Sequence, residues 1–330
     1  MEVRKEEEIR QVQMEKPHVV ILGAGASFAA FPDGDRNGKK LPLMNNFIET
    51  LEIEELIKST GLTFSSNNFE DIYSAIYEVD KLNGVREELE DIVYNYFSSM
   101  RLPEEPTIYD YLVLSIRPKD VIATFNWDPF LAQAIERNMD YIKPPTSIYL
   151  HGNVKMGACS ENHHMGLNGT SCVTCGEVLV PSKLLYPIGE KDYEKDKFIE
   201  QQWKSVRSYL NDAFMVTIFG YGEPSSDASA VALFKEAWGN VNDRNMEEFE
   251  VIDIRDEEVL RDLWSNFIHT HHYSVESDYY DSWLANHPRR TGEAYINQYL
   301  MAKFIENNPI PRSVSLSELR DWYANIQKYE

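Results

Sequence analysis

Four short stretches of the sequence carry residues that can bind a ligand or move a proton, and each follows a predicted strand. They are Gly23-Ala24-Gly25-Ala26-Ser27, Asn126-Trp127-Asp128, His151-Gly152 and Gly220-Tyr221-Gly222. In a parallel sheet, ligands bind beyond the carboxyl ends of the strands. A single histidine at a strand end is more often structural than catalytic, but four such ends on one edge are hard to explain by packing. The sequence therefore predicts one ligand site at that edge.

The glycine turn is the first of these stretches. Val19 to Leu22 predict a fully buried strand, and Gly23 and Gly25 allow the main chain to approach a ligand without a Cβ in the way. The N–H groups at the start of the following helix favour a phosphate. Phe28 replaces the third glycine of the G-x-G-x-x-G dinucleotide pattern, so the turn is consistent with phosphate binding or with tight strand–helix packing.

Strands that alternate with helices predict an α/β fold with a doubly wound, Rossmann-like parallel sheet. Residues 44–116 have helical spacing without a strand signal and predict a helical insert. The last clear strand is 249–253, and residues beyond 257 have helical patterns, with a capping box at Ser315 and Glu318. Further strands are predicted at 120–125, 147–150, 178–180 and 214–219, and a long amphipathic helix at 190–212.

The composition indicates a globular chain with an acidic surface. Of 330 residues, 43% are hydrophobic, and 32 basic against 54 acidic residues give a net charge of −22. Such a charge repels nucleic-acid backbones, so direct nucleic-acid binding is not expected. No apolar run is long enough to span a membrane and no secretory signal is present, which predicts a cytoplasmic protein with no membrane partner.

The three cysteines lie close together, with two histidines between them. The cluster comprises Cys159, His163, His164, Cys172 and Cys175. Three thiolates and one imidazole complete a closed tetrahedral zinc site, so the spacing predicts a small structural zinc module at about 153–177. The alternative is a zinc-free loop with free thiols.

The order of these motifs resembles that of the sirtuin (Sir2-type) fold. The resemblance covers about residues 17–256, and its specific parts are the Asn and His-Gly motifs. The residues of these motifs resemble those of the sirtuin-like NAD hydrolase domains of bacterial antiphage defence proteins more than those of protein deacylases. Deacylases have Gln-Asn-Ile-Asp where this chain has Phe125-Asn126-Trp127-Asp128, and aromatic residues flank the Asn in the defence proteins as they do here. Sirtuins also carry a four-cysteine zinc module just after His-Gly.

The resemblance implies catalytic roles for Asn126, Asp128 and His151. Asn126 would orient a ribose hydroxyl or an attacking water below the anomeric carbon, because an amide both donates and accepts. Asp128 would hold this loop and stabilise the cationic ribosyl transition state. His151 would act as the general base on a ribose hydroxyl or water, because imidazole takes up a proton near neutral pH.

Further residues are implied to contact NAD. The glycine turn would line the pyrophosphate, and the region from residue 220 would contact the adenosine side. The carboxylate that ends the last predicted strand would bind the adenine-ribose hydroxyls. For Asp128 and Asp227, helix capping is the alternative. The implied NAD contacts are Gly23, Ala24, Gly25, Ser27, Gly220, Gly222, Ser225, Asp227 and Asp253.

The predicted organisation is a polar lead-in at 1–16, an NAD-binding catalytic domain at 17–256 and a helical extension at 257–330. The implied activity is an NAD+ nucleosidase that releases nicotinamide and ADP-ribose in antiphage defence or abortive infection. An NAD-dependent deacylase and a non-catalytic nucleotide-sensing subunit are the alternatives. Because free NAD hydrolysis poisons a cell, we expect gating by homo-oligomerisation or by a partner such as a defence ATPase, with the aromatic-rich residues 257–330 as interface.

Overall fold

The centre of the molecule is a parallel sheet, as predicted, and the sheet has six strands. The computed structural model describes residues 2–10, 14–161, 164–186, 188, 196–222 and 228–330. The six strands lie side by side in the order β10-β9-β8-β2-β3-β4. In chain order the strands are β1 (Glu2–Val3), β2 (His18–Leu22), β3 (Val121–Thr124), β4 (Thr146–Tyr149), β5 (Met156–Ala158), β6 (Met165–Leu167), β7 (Val180–Pro181), β8 (Met215–Phe219), β9 (Glu248–Ile252), β10 (Tyr273–Glu276) and β11 (Phe304–Ile305).

Strand β2 is one of the two central strands and has no exposed face. All five of its residues are buried, which fits a parallel strand covered by helices on both sides. Val20 and Leu22 belong to the core shared with the helical insert, while Val19 and Ile21 face the opposite core. Strand β2 pairs with β3 on one side and with β8 on the other, so the strands that follow it in the chain are added on both of its sides. The carboxyl ends of β2, β3 and β8 therefore meet at a topological switch point.

Helices cover both faces of this sheet. Those of the insert, α3 to α7, contribute most of the larger core, and α9, α10 and α11 pack on the other face. Shorter helical turns lie at Asp80–Leu82 and Tyr279–Asp281, with a π-helical segment at Ile296–Leu300. The helices are α1 (Lys5–Arg10), α2 (Ala24–Ala30), α3 (Phe47–Leu51), α4 (Glu54–Ser59), α5 (Phe69–Tyr77), α6 (Asn83–Ser98), α7 (Ile108–Ser115), α8 (Phe130–Asn138), α9 (Lys197–Asp212), α10 (Ala228–Trp238), α11 (Glu257–Leu263), α12 (Trp283–Asn286), α13 (Thr291–Tyr295) and α14 (Leu316–Gln327). None of the helices within these described ranges is long and apolar enough to cross a membrane.

Side-chain caps define the starts of two predicted helices. The Ser315 hydroxyl accepts from the Glu318 N–H at the start of α14 while the Glu318 carboxylate accepts from the Ser315 N–H, so the predicted capping box is confirmed. In α9 the Asp196 carboxylate accepts hydrogen bonds from two backbone N–H groups. This helix is described from Lys197, and the predicted residues 190–195 lie outside the described residues.

The region after residue 257 is mainly helical, as predicted, but it also supplies a strand. Strand β10 pairs in parallel with β9 and forms one edge of the main sheet, so the expectation that only helices follow residue 257 is wrong here. Its four residues, Tyr273 to Glu276, are all half-buried, so they lack the buried apolar run by which the other strands were predicted.

The lead-in at 2–10 is packed against the C-terminal region. Strand β1 pairs with β11, and the buried Glu8 forms an ion pair with the buried Arg290. A separate antiparallel sheet, in the order β6-β5-β7, carries the cysteine cluster.

Candidate active site

The glycine turn after β2 is in direct contact with the end of β8. A Cβ on Gly23 would lie 2.5 Å from the Gly220 oxygen, and one on Gly25 would lie 2.8 Å from the Gly220 Cα. Gly220 itself has a φ of +62°, a backbone conformation that favours glycine. The N–H of Gly23 donates to the Phe219 oxygen and that of Gly25 to the Gly220 oxygen. These three glycines are thus explained by packing between two strand ends.

The contacts also limit where the turn can hold a phosphate. Two of its N–H groups, those of Gly23 and Gly25, already donate to the end of β8. Ala24 is exposed and is the first residue of α2, where an N–H has no partner within the helix. Of the turn's amides, that of Ala24 is the best placed to meet a ligand, and phosphate binding by the turn stays a prediction.

The side chain of Asn126 lies beside this turn, directly after β3. Its amide nitrogen donates to the Gly23 oxygen and to the Ser27 hydroxyl, each at 2.9 Å. Because the Gly23 carbonyl can only accept, the nitrogen and not the oxygen of the amide must face it. The Asn126 Oδ1 accepts no hydrogen bond from the described residues, so it is the atom of this side chain left for a ligand.

Ser27 connects Asn126 to Asp128. The Ser27 hydroxyl donates to the Asp128 carboxylate at 2.6 Å, and the other carboxylate oxygen accepts from the Phe130 N–H at 3.2 Å. Burial raises the pKa of Asp128 to about 6, partly offset by these two hydrogen bonds. Asp128 accepts from the first residue of α8, although the N-cap of this helix is Pro129, and its catalytic role stays a prediction.

A residue that the sequence did not single out, Tyr109, completes this network. It lies on α7 in the helical insert, and its hydroxyl is 2.5 Å from the Ser27 Oγ and 3.3 Å from the Asn126 amide nitrogen. Burial raises the pKa of Tyr109 well above its ordinary value. Because the one proton of the Ser27 hydroxyl goes to Asp128, the Tyr109 hydroxyl donates to Ser27. No local pattern around Tyr109 marks it, because the contact depends on how the insert packs on the sheet.

His151 follows β4, the strand next to β3. It is buried, and its ring meets Phe125 edge-on with centroids 4.8 Å apart. Phe125 in turn stacks on Tyr221 at 4.2 Å, so aromatic rings connect three of the predicted strand ends. Gly152 is required after the histidine: its φ is +76°, and a Cβ there would lie 2.1 Å from the Lys183 oxygen.

Asn153 is the second residue that the sequence did not single out. It is fully buried, and its amide nitrogen donates to the backbone oxygens of Asn126 (3.2 Å) and Asp128 (2.6 Å). Asn153 follows the predicted His-Gly pair, which is the only sequence signal that could have drawn attention to it.

The predicted adenosine-side residues are less closely grouped. Asp253 directly follows β9, and its two carboxylate oxygens accept from the guanidinium of Arg255 at 3.0 and 2.8 Å. A ribose would therefore have to share this carboxylate with Arg255. Gly222 has open space where a Cβ would be. Ser225 and Asp227 lie outside the described residues.

The structure brings the three cysteines together. The possible ligand atoms of Cys159, Cys172 and Cys175 all lie within 4.8 Å of one another, and none of the three forms a disulfide. Hydrogen bonds from the backbone N–H groups of Cys175 and Thr174 lower the pKa of Cys172 to about 7, which favours the thiolate that a metal requires. The cluster could hold a structural zinc ion.

The fourth ligand of such a site is not among the described residues near the sulfurs. His164 does not share the cluster, although its backbone oxygen accepts from the Cys159 N–H at 2.8 Å. His163 lies outside the described residues. The identity of a fourth ligand therefore stays a prediction.

No family model and no curated protein matches this chain. Among solved structures, the chain is similar to a Sir2 homologue in complex with NAD, with 12% identity over 98% of this chain and 93% of the other and a TM-score of 0.37. It is also similar to a Sir2 homologue, mutated from serine to alanine, in complex with ADP-ribose (12% identity, 98% and 97%, TM-score 0.39). A third is Sir2 with the inhibitor EX-527, 2′-O-acetyl-ADP-ribose and deacetylated p53 peptide (12%, 86% and 93%, 0.39). At this level of similarity, the neighbours assign neither an activity nor a residue role to this chain.

Proposed function

We propose that this chain is an NAD hydrolase that cleaves the bond between nicotinamide and ribose. Water adds to the anomeric carbon, nicotinamide leaves with the bonding electron pair, and the products are nicotinamide, ADP-ribose and a proton. The observation that carries the proposal is the placement of Asn126 beside the glycine turn of β2, with His151 after β4, the strand next to β3. The sequence motifs that resemble sirtuin-like NAD hydrolases occur at these same strand ends.

In this proposal Asn126 acts through its amide oxygen. Its nitrogen is held by Gly23 and Ser27, so Oδ1 has a fixed direction and can accept from a ribose hydroxyl or from the attacking water. His151 takes up the proton that the nucleophile loses. Asp128 does not contact the reacting atoms, because its carboxylate accepts hydrogen bonds from Ser27 and Phe130. Its negative charge stabilises the cationic ribosyl transition state.

The rest of the predicted site would bind the other parts of NAD. The pyrophosphate would contact the turn at Gly23, Ala24, Gly25 and Ser27. The adenosine side would contact Gly220, Gly222 and either Ser225 or Asp227. Asp253 would accept from the adenine-ribose hydroxyls. A zinc ion on Cys159, Cys172, Cys175 and one histidine would fold its own module and take no part in the reaction.

The proposed setting is cytoplasmic defence against phage by NAD depletion. Residues 17–256 would supply the catalytic domain, and residues 257–330, which also add β10 to the sheet, would face a second copy or a partner such as a defence ATPase. The need for gating supports this assignment, because an ungated NAD hydrolase kills its own cell.

Incubating the purified protein with NAD alone tests the activity, with nicotinamide and ADP-ribose quantified by chromatography. Release without any peptide is the expected result. Turnover only with an acyl-lysine peptide would identify a deacylase instead, and NAD binding without turnover in every assembly state would identify a nucleotide sensor.

Two substitutions test the assignment of the site. His151→Ala and Asn126→Ala should fold, bind NAD within roughly tenfold of the unmodified protein and lose nicotinamide release, because both groups act in the transition state. Loss of a general base alone typically costs on the order of 10² to 10⁴ in rate. Asp253→Ala should instead weaken binding first. A His151→Ala protein with unchanged turnover would refute the assignment.

A further inference from the structure

The loop that carries Asn126 and the segment that carries His151 are joined by one side chain. The amide nitrogen of Asn153 donates to the backbone oxygens of Asn126 and Asp128, on either side of Trp127. The N–H of the next residue, Val154, donates to the Trp127 oxygen at 3.1 Å. All three carbonyls of the loop are therefore hydrogen-bonded to positions 153 and 154, two and three residues beyond His151.

Asn153 is itself held in one orientation. Its Oδ1 accepts from the Lys155 N–H at 2.9 Å, and its own N–H donates to the Ser182 hydroxyl, which donates back to the Asn153 oxygen. Carbonyl oxygens only accept, so the Asn153 nitrogen must face the loop. The side chain is fully buried, and no solvent competes for these bonds.

We propose that Asn153 is a positioning residue that fixes the Asn126 loop relative to His151. This inference rests on the proposed function, because it assigns Asn153 to the geometry of that site. Asn153 acts through the backbone oxygens of Asn126 and Asp128. We call the two hydrogen bonds from Asn153 to the backbone oxygens of Asn126 and Asp128 the clamp. A displacement of about 1 Å between reacting groups costs on the order of 10²-fold in rate, so the clamp acts on turnover and not on NAD affinity.

The substitution Asn153→Asp tests the clamp by replacing a donor with an acceptor of nearly the same shape. At about pH 8 the introduced carboxylate would face two carbonyl oxygens and repel them, and kcat should fall on the order of 10²-fold. The Kd for NAD, measured by calorimetry, should stay within about threefold. At about pH 5 the protonated carboxyl regains one O–H donor, so the ratio of variant to unmodified kcat should rise.

Asn68→Asp is the matched control. The Asn68 side-chain oxygen accepts from the Glu70 N–H at the start of α5, a bond that a carboxylate keeps. This control should leave kcat unchanged and show no pH-dependent recovery. Asn153→Ser, which keeps a shorter hydroxyl donor, serves if Asn153→Asp does not fold, and it should show the same split between kcat and Kd to a smaller extent.

Hydrogen exchange separates this inference from the proposed function. In the Asn153 variants the amides of residues 126–130 should exchange faster, while those of β2 keep their protection. If the unmodified protein fails to cleave NAD, the proposed function is wrong. In that case, faster exchange of the amides of residues 126–130 in the variants still supports the clamp. Unchanged exchange in this loop, or a kcat within about threefold of the unmodified value at both pH values, overturns the role of Asn153.

Discussion

The buried carboxylate of Asp128 leads to a prediction about stability and pH. Asp128 is only 4% exposed, and neither a lysine nor an arginine of the described residues forms an ion pair with it. Its hydrogen bonds come from the neutral Ser27 hydroxyl and the Phe130 N–H. The substitution Asp128→Asn keeps the shape of the side chain but removes the titrating group. The amide can donate to the Ser27 oxygen while its own oxygen accepts from the Phe130 N–H.

The size of the effect follows from the pKa. Burial raises the pKa of Asp128 from 3.8 to about 6 in the folded protein. A difference of this size, at 1.36 kcal/mol per unit, corresponds to about 3 kcal/mol. Because the folded state holds the proton more tightly than the unfolded state, this group stabilises the fold at low pH. That contribution is lost as pH rises from about 4 through about 6.

The assay compares the free energies of unfolding of the two proteins in urea at several pH values. The difference, Asp128→Asn minus unmodified, should shift by about 3 kcal/mol in favour of the variant between about pH 4 and about pH 7.5. Both proteins contain the same other buried acids, among them Glu248 and Glu250, whose pKa values burial raises to about 8 and about 7. The difference between the two proteins therefore removes the contribution of these acids to the pH dependence of stability.

Asp256→Asn is the control, because it makes the same change at an exposed position at the start of α11. Its difference from the unmodified protein should not follow the shift between about pH 4 and about pH 6. A flat difference for Asp128→Asn across that range would refute the reasoning, since it would mean that the Asp128 carboxyl is not desolvated in the folded protein.

Three further outcomes follow from features described above. Gly152→Ala should lower the free energy of unfolding by more than about 2 kcal/mol, because a Cβ there meets the Lys183 oxygen at a positive φ, whereas Gly222→Ala should have little effect in urea unfolding. Metal analysis should find about one zinc per chain, with less than about half a zinc contradicting the site, and Cys172→Ser should reduce folding yield more than turnover. Light scattering should detect an oligomer or a complex with a partner, and a monomer at all concentrations with full NAD turnover would contradict gating by assembly.

The sequence predicted the parts of the fold that depend on local patterns. Buried apolar runs such as Val19 to Leu22 marked the central strands, and the Ser315 capping box marked the start of α14. Strand β10 was missed because it is only four residues long, is half-buried and has no continuous apolar run. Its strand character comes from pairing with β9 and not from its own residues.

The candidate site was predictable as a set of strand ends but not as a set of contacts. The positions of Asn126 and His151 follow from the common edge of parallel strands. The Tyr109 contact with Ser27 depends on how the insert packs, and the clamp by Asn153 depends on how two loops meet. The pairing of Gly25 with Gly220 likewise joins residues far apart in the chain, and no sequence window contains both.

The order of synthesis has a consequence for when this site can exist. Strand β2 is made early, but its neighbour β8 follows only after the insert, the cysteine module and α9 have been synthesised. A growing chain therefore contains Asn126 and His151 well before it contains Gly220, which packs against the glycine turn beside Asn126. Until then β2 has an open edge, and such long-range parallel pairing is slow to form and prone to aggregation. Under the proposed function, NAD cleavage would begin only after β8 has been made, and chaperones have a long interval in which to guard this central strand.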